Sequence, residues 1–173
     1  MSLKLFAAVP PFTQLNTPYP STAYIKGFLK TQNIVCDQAD WGLEFILEIF
    51  SQKGLKDIFN CIAKKNIDLS DNAQRIIALQ NDYCKTIDYV IGFLQGKNPT
   101  LVRQICSGNF LPEASRFEQL DDMEYAFGTM GMQDKAKHLA TLYLEDLSDY
   151  IVSCVDENFG FSRYAERLGR SAN

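Results

Sequence analysis

The sequence lacks the local patterns that usually mark an active site. It has no glycine-rich phosphate-binding loop, and it has neither the GxSxG nor the HExxH pattern. Histidine occurs once, as His138, inside a polar stretch that is predicted to be helical, so we interpret it as a solvated side chain. The chain by itself therefore predicts no catalytic constellation.

The five cysteines do not form a local metal-binding motif. More than twenty residues separate each cysteine from the next, so neither CxxC nor CxxxCxxC occurs. Cys61, Cys84 and Cys154 fall on apolar faces of predicted helices, where a free cysteine behaves as a small buried hydrophobe. We expect the cysteines to be reduced and structural, and we expect no metal site.

The sequence also lacks a basic patch and a long apolar run. The formal net charge is −4, and no Lys/Arg cluster with interleaved aromatics is present, which argues against a nucleic-acid surface. No apolar run approaches the roughly 18 residues of a membrane span, and no signal peptide opens the chain. We therefore expect no nucleic-acid or membrane partner and a cytoplasmic location.

The N-terminal stretch predicts a strand followed by a proline-rich loop. The apolar run from residue 3 to residue 9 has the length of a buried strand, and Pro10 and Pro11 end it, because proline lacks a ladder donor. Pro18 and Pro20 keep the intervening Tyr19 extended. The loop lies at the carboxyl end of the strand, where open α/β sheets place their ligands.

A helix and a second strand follow this loop. Helical periodicity starts at Ser21, and the segment 34–36 predicts the second strand, which gives a right-handed parallel βαβ unit. After Cys36 the pattern is helical, with Asp40 as the cap of a helix that Gly54 breaks. Two long amphipathic helices are predicted, from Ser70 to about Leu94 and from about 133 to 155. A capping box predicts a further helix from Ser115 to about Phe127.

These patterns predict an α/β fold that is mostly α. A short βαβ unit, a partial Rossmann-like start, occupies residues 1–39, and a helical lobe occupies residues 40–173. Two parallel strands do not make a stable free sheet. We therefore expect either that a partner supplies strands or that the chain is a fragment of a longer one.

The proline-rich loop is the best candidate binding site. Its short polar side chains and aromatic faces stand beside a rigid backbone, and they fit the lining of a ligand crevice. The alternative is that the aromatics pack the loop onto the helices while the polar groups satisfy turn backbone. Trp41 either faces the same crevice or anchors the core. The candidate residues are Pro10, Pro11, Phe12, Thr13, Asn16, Thr17 and Tyr19.

Two acidic pairs invite a catalytic or metal-binding interpretation. Asp121 and Glu124 would share a helix face, and Glu145 and Asp146 are adjacent on the long C-terminal helix. No histidine or second carboxylate motif accompanies either pair. We interpret Asp121 and Glu124 as a solvated acidic face because no partner motif accompanies them. We interpret Glu145 and Asp146 in the same way because adjacent helical side chains diverge.

The segments 9–11, 18–21 and 24–29 (VPP, PYPS and YIKGFL) resemble the start of cobalamin-binding-domain radical SAM proteins. That family includes proteins labelled Fe–S oxidoreductase or magnesium-protoporphyrin monomethyl ester oxidative cyclase. Its first strand ends in a double proline, and a PYP-like turn leads into a helix that ends near a glycine. The resemblance covers residues 3 to about 45. The rest of the chain resembles only the helical region that follows in some members.

The resemblance implies an accessory role in a larger enzyme. The parent would use cobalamin, S-adenosylmethionine and a [4Fe–4S] cluster, while this segment would help to form the cobalamin or substrate crevice. The family's cluster motif CxxxCxxC is absent here, and His138 does not fit its DxHxxG cobalamin signature. The implied partners are downstream domains of the same chain, and a homodimer through the exposed sheet edge is a further expectation. The alternative function is a non-enzymatic helical protein-interaction module.

Overall fold

The fold is mixed α/β and mostly helical, as predicted. The computed structural model describes residues 4–11, 20–65, 67–119 and 131–160. Two strands and the helix between them form the N-terminal unit, and the remaining described helices form one apolar core. The predicted helix that starts at Ser115 begins as a 3-10 helix, and its continuation beyond residue 119 lies outside the described residues.

The N-terminal unit is a two-stranded parallel sheet. Strand β1 (Lys4–Val9) pairs with β2 (Val35–Asp40), and helix α1 (Ser21–Thr31) connects the two strands. The register runs from Lys4 opposite Val35 to Val9 opposite Asp40. Strand β2 extends to Asp40, whereas its apolar run predicted a strand only up to Cys36. The extension contains polar residues, which an apolar pattern does not reveal.

The helical part begins directly after β2. Helices α2 and α3 lead into two further helices, a short 3-10 turn and a short helix, before the second 3-10 segment and the long C-terminal helix. Their bounds are α2 (Trp41–Ile49), α3 (Gln52–Ala63), α4 (Asp71–Ala78), α5 (Gln80–Leu94), the 3-10 helix Pro99–Leu101, α6 (Val102–Cys106), the 3-10 helix Ser115–Gln119 and α7 (Met132–Cys154).

Gly54 does not break a helix, which corrects the sequence prediction. Asp40 caps α2 as predicted, and its carboxylate accepts the backbone N–H of Leu43 at 2.9 Å. The break instead lies between α2 and α3, where Ser51 caps α3 through the N–H of Gly54 at 3.0 Å. A Cβ at Gly54 would collide with the carbonyl oxygens of Glu48 and Ile49. Glycine is therefore required here for the close approach of α3 to the end of α2.

The long helix predicted from Ser70 to Leu94 is two helices, α4 and α5. Ser70 caps α4 as expected, since its hydroxyl accepts the N–H of Ala73 at 3.3 Å. Leu79 has φ −94° and ψ 5°, so it ends α4 and begins α5. Gly96, with φ 77°, lies just after α5, which confirms its predicted place as the residue that follows the helix end.

Helix α7 is the centre of the apolar core and confirms the second long helix. It packs against α4, α5, α6 and the 3-10 helix Ser115–Gln119. Most of its ring and aliphatic side chains are buried, and Tyr143 lies 5.0 Å from Tyr83 of α5 between ring centroids. The buried apolar residues of α7 are Ala136, Leu139, Ala140, Tyr143, Leu144, Leu147, Tyr150, Ile151 and Cys154.

Candidate functional site

The carboxyl ends of β1 and β2 lie side by side, as a ligand crevice of this type requires. Val9 pairs with Asp40, so the exposed Pro10 and Pro11 follow β1 at the same edge where α2 starts with Trp41. The remaining predicted loop residues lie outside the described residues, and their role stays a prediction. They are Phe12, Thr13, Asn16, Thr17 and Tyr19.

Trp41 lies at this edge and is not an anchor of the core. Its side chain is 49% exposed, and it packs on Phe6 of β1 with ring centroids 5.5 Å apart. The core-anchor interpretation is therefore wrong. Asp40, beside it, is committed to capping α2 through Leu43, so the edge offers an aromatic face and a rigid proline backbone.

An N-terminal apolar surface covers much of the βαβ unit. Helix α1 has no buried residue, although its sequence is amphipathic. Tyr24 is 78% exposed and Phe28 is 65% exposed, and both strands also expose apolar side chains. A surface of this kind marks an interaction site when its apolar residues are contiguous. Its members are Leu5, Phe6, Tyr24, Ile25, Phe28, Val35 and Trp41.

Asp146 is buried, which corrects its interpretation as part of a solvated acidic face. Its side chain is fully shielded from solvent, and its two oxygens accept the backbone N–H groups of Ala114 and Arg116, each at 3.0 Å. The sequence did contain a signal for this position. Asp146 lies three residues after Tyr143 and four before Tyr150, within the helical spacing of the buried face.

Burial raises the pKa of Asp146 from 3.8 to about 6, although the two backbone N–H groups and the Arg116 guanidinium favour its charged form. Arg116 holds Asp149 through two hydrogen bonds of 2.6 and 2.8 Å and lies 3.5 Å from Glu145. This network fixes the segment 114–116 on α7. Its hydrogen bonds are satisfied within the protein, which is typical of a structural role.

The hydroxyls of Tyr143 and Tyr83, both in the core, differ in their hydrogen bonding. The hydroxyl of Tyr143 lies 3.0 Å from that of Thr86 and donates to the carbonyl of Tyr83 at 3.1 Å. The hydroxyl of Tyr83 is buried without a hydrogen-bond partner. Burial raises the pKa of both tyrosines above the ordinary value, so both remain neutral phenols and neither is prepared to act as a base.

A groove of about 690 Å³ lies between α4, α5 and the loop 108–113. Three of its charged side chains form ion pairs, since Arg75 bonds Glu118 at 2.8 Å and Lys85 bonds Asp82 at 3.1 Å. Leu79 and Phe110 contribute its apolar wall. The groove has the volume of a small-molecule site. It is open to solvent, however, and its lining combines polar and apolar side chains, so it selects no ligand class.

The cysteines form no metal site within the described parts of the chain. There, no group of three or more His, Cys, Asp or Glu side chains is arranged to hold a metal ion. Cys36, Cys84 and Cys154 are buried and Cys106 is half-buried, whereas Cys61 is exposed. The prediction that Cys61 belongs to the apolar face of its helix is therefore wrong, because that face of α3 is formed by Leu55, Phe59 and Ile62.

No described helix is both long and apolar enough to cross a membrane. Comparisons with protein-family models, with curated proteins and with solved structures find no match to this chain.

Proposed function

We propose that this chain is an accessory segment of a cobalamin-dependent radical SAM Fe–S oxidoreductase. The segment carries out no catalysis itself and forms one wall of the cobalamin or substrate crevice. Other domains of the same parent chain are its partners, and we propose a cytoplasmic location. The proposal is supported by the sequence resemblance of residues 3–45 together with one geometric observation. Pro10 and Pro11 follow β1 where the parallel strand pair ends, beside the exposed Trp41.

The two implied metal cofactors differ in how they fit the described residues. The [4Fe–4S] cluster does not fit, because no group of cysteine thiolates converges there, and we assign it to another part of the parent. A corrinoid fits as a contact partner, since Trp41 and the two prolines present flat apolar surfaces at the strand ends. His138 lies on α7, which belongs to the helical body, so we assign no axial ligand.

Trp41 offers a direct test, because it is the only tryptophan of the chain. Hydroxocobalamin is titrated into the protein while tryptophan emission and equilibrium dialysis are followed in parallel. We expect saturable binding by dialysis and saturable quenching of Trp41. N-acetyltryptophanamide corrects for absorption by the corrinoid. The variant Pro11→Ala, which loosens the backbone beside Trp41, is expected to weaken binding. Dialysis without saturable binding would overturn the corrinoid assignment.

The second candidate function is a helical protein-interaction module. The observation that favours it is the N-terminal apolar surface, whose exposed aromatic and aliphatic side chains a protein partner would cover. Cobalamin or S-adenosylmethionine dependence of the full-length gene product would separate the two functions. So would a CxxxCxxC motif encoded in the reading frame after codon 173, which only the enzyme proposal expects.

A further inference from the structure

Among the described residues β1 pairs only with β2, and its other edge, called the open edge below, is chemically suited to pair with another strand. Along its six residues Lys4 is the only charged side chain, and the sequence KLFAAV holds no proline that would block an approaching backbone. Natural edge strands usually carry such protection. Strand β2 carries two charged residues, Asp37 and Asp40, against one on β1, so charge protects the outer edge of β2 more than that of β1.

The apolar stripe of α1 lies on the same side of the unit as this edge. Thr22 and Leu29 are half-buried and are seven residues apart, so they define the side of α1 that faces the strands. Successive residues of an α-helix are rotated by 100° about its axis. By this rotation Tyr24, Ile25 and Phe28 all lie to one side of the strand-facing line through Thr22 and Leu29, and we call this side the apolar flank. In a right-handed βαβ crossover this flank points away from β2 and overhangs the open edge of β1.

The opposite flank of α1 has a different chemistry. Lys26 and Lys30 project there, together with Ala23, and α1 contains no acidic residue. The helix therefore turns its apolar side toward the β1 edge and its charged side toward solvent beyond β2. An occupant of the β1 edge would cover Tyr24 and Phe28 without burying either lysine.

We propose that a second copy of this chain occupies this surface, through antiparallel pairing of β1 with the β1 strand of the other copy. The resulting sheet has four strands, and the two α1 helices lie on the same face of it. This inference does not rest on the proposed function, because it uses only the edge composition, the helix orientation and the exposed area.

Two-fold symmetry brings the α1 helices to packing distance. Strands are about 4.8 Å apart, and α1 lies over β1 and β2, which places the two helix axes about 10 Å from each other across the symmetry axis. Helices pack at 8 to about 10 Å. Tyr24 and Phe28 of one copy then meet the same residues of the other, and the exposed Leu5 is covered beneath them.

Charge selects β1 over β2 for this contact. The two-fold axis requires one residue to lie opposite its own copy, and a pairing centred on Ala7 keeps the two Lys4 side chains about 20 Å apart along the strands. A symmetric pairing of β2 with its copy centred on Gln38 would place the two Asp37 carboxylates diagonally opposite each other, within about 8 Å. Like charges at that spacing disfavour the β2 contact.

The exposed area predicts a weak dimer. With roughly 200 Å² per aromatic side chain, the exposed fractions of Tyr24 and Phe28 correspond to about 300 Å² on each copy. Ile25, Leu5 and the strand backbone add to this area. A standard interface buries about 800 Å² per partner, so we expect a dissociation constant of micromolar order and rapid exchange between monomer and dimer.

Sedimentation velocity of the full chain, from about 1 µM to several hundred µM, tests the proposal. We expect a concentration-dependent monomer–dimer equilibrium. The variant Phe28→Glu should weaken it by about tenfold or more. The matched control Ala23→Glu adds the same charge on the lysine flank of the same helix, and it should leave the dissociation constant within about twofold. Both positions are exposed, so circular dichroism should show unchanged helix content.

Hydrogen exchange at low and high concentration identifies the edge. Dimerisation should slow amide exchange in the peptide that covers β1 and leave the peptide that covers β2 unchanged. A monomer over the whole concentration range would overturn the proposal. So would a dimer that Phe28→Glu leaves intact, or one whose slowed amides lie in β2.

Discussion

The buried carboxylate of Asp146 makes protein stability depend on pH in a direction that is unusual for an acid. The folded state raises its pKa from 3.8 to about 6. Between these values the folded protein binds a proton that the unfolded chain has released. The stabilising contribution of this group is therefore complete below pH 3.8 and is lost as the pH rises through about 6.

The variant Asp146→Asn isolates this contribution. A shift of about two pKa units corresponds to about 3 kcal/mol of unfolding free energy. Asparagine is always neutral, so it lacks this pH dependence. Its side chain has one oxygen where the carboxyl group has two, so one of the N–H groups of Ala114 and Arg116 loses its acceptor at a cost of about 1–3 kcal/mol. That cost does not depend on pH.

Urea unfolding of both proteins from pH 4.5 to pH 8 measures the difference. We expect Asp146→Asn to be less stable than the wild type at pH 4.5, and the gap to shrink by about 2 kcal/mol between pH 4.5 and pH 8, because part of the total change already occurs below pH 4.5. Ser153→Ala on the same helix removes no ionisable group, so it should give a gap that is flat with pH. A gap for Asp146→Asn that stays constant or widens with pH would refute the argument.

Two further pairs of substitutions test the packing. Gly54→Ala should lower the unfolding free energy by about 2 kcal/mol or more, since the new Cβ meets backbone carbonyls. Gly92→Ala in α5, where a Cβ meets nothing, should instead raise it by about 0.5–1 kcal/mol, and an equal response at both sites would contradict the account. Thr86→Val should cost about 1 kcal/mol by removing the 3.0 Å bond to Tyr143. Combined with Tyr143→Phe, it should give less than the sum of the single effects, and strict additivity would argue against the shared bond.

The sequence was informative where a local rule acts alone. Prolines end β1, Asp40 and Ser70 cap their helices, and Gly96 follows the end of α5, because each of these residue types satisfies a need of the backbone at its own position. The βαβ unit and the long α7 helix were predicted from the same kind of signal.

Tertiary contacts account for the elements that were missed. The apolar periodicity runs without interruption across Leu79, so the change from α4 to α5 leaves no mark in the pattern. Gly54 was interpreted as a breaker, but it allows two helices to approach closely. Asp146 lies in a buried register, and its partners are backbone groups more than twenty-five residues away, which no local motif encodes.

The candidate site was predictable only in part. The order of the elements predicts that Trp41 lies at the strand ends. It does not predict that the Trp41 side chain is exposed. Periodicity shows which side of α1 is apolar, but it does not show whether anything covers that side. The uncovered stripe of Tyr24 and Phe28 therefore emerged only from the structure.

The central position of α7 has a consequence during synthesis on the ribosome. The apolar faces of α4, α5 and α6 pack on a helix that ends at Cys154, so they are made before the surface that covers them. Translation proceeds at about 5–20 residues per second, and the roughly 80 residues from Asp71 at the start of α4 to Cys154 therefore take about 4–17 s to emerge. During that interval the nascent helices expose apolar faces, and chaperones that bind nascent chains have their main opportunity to act on this protein.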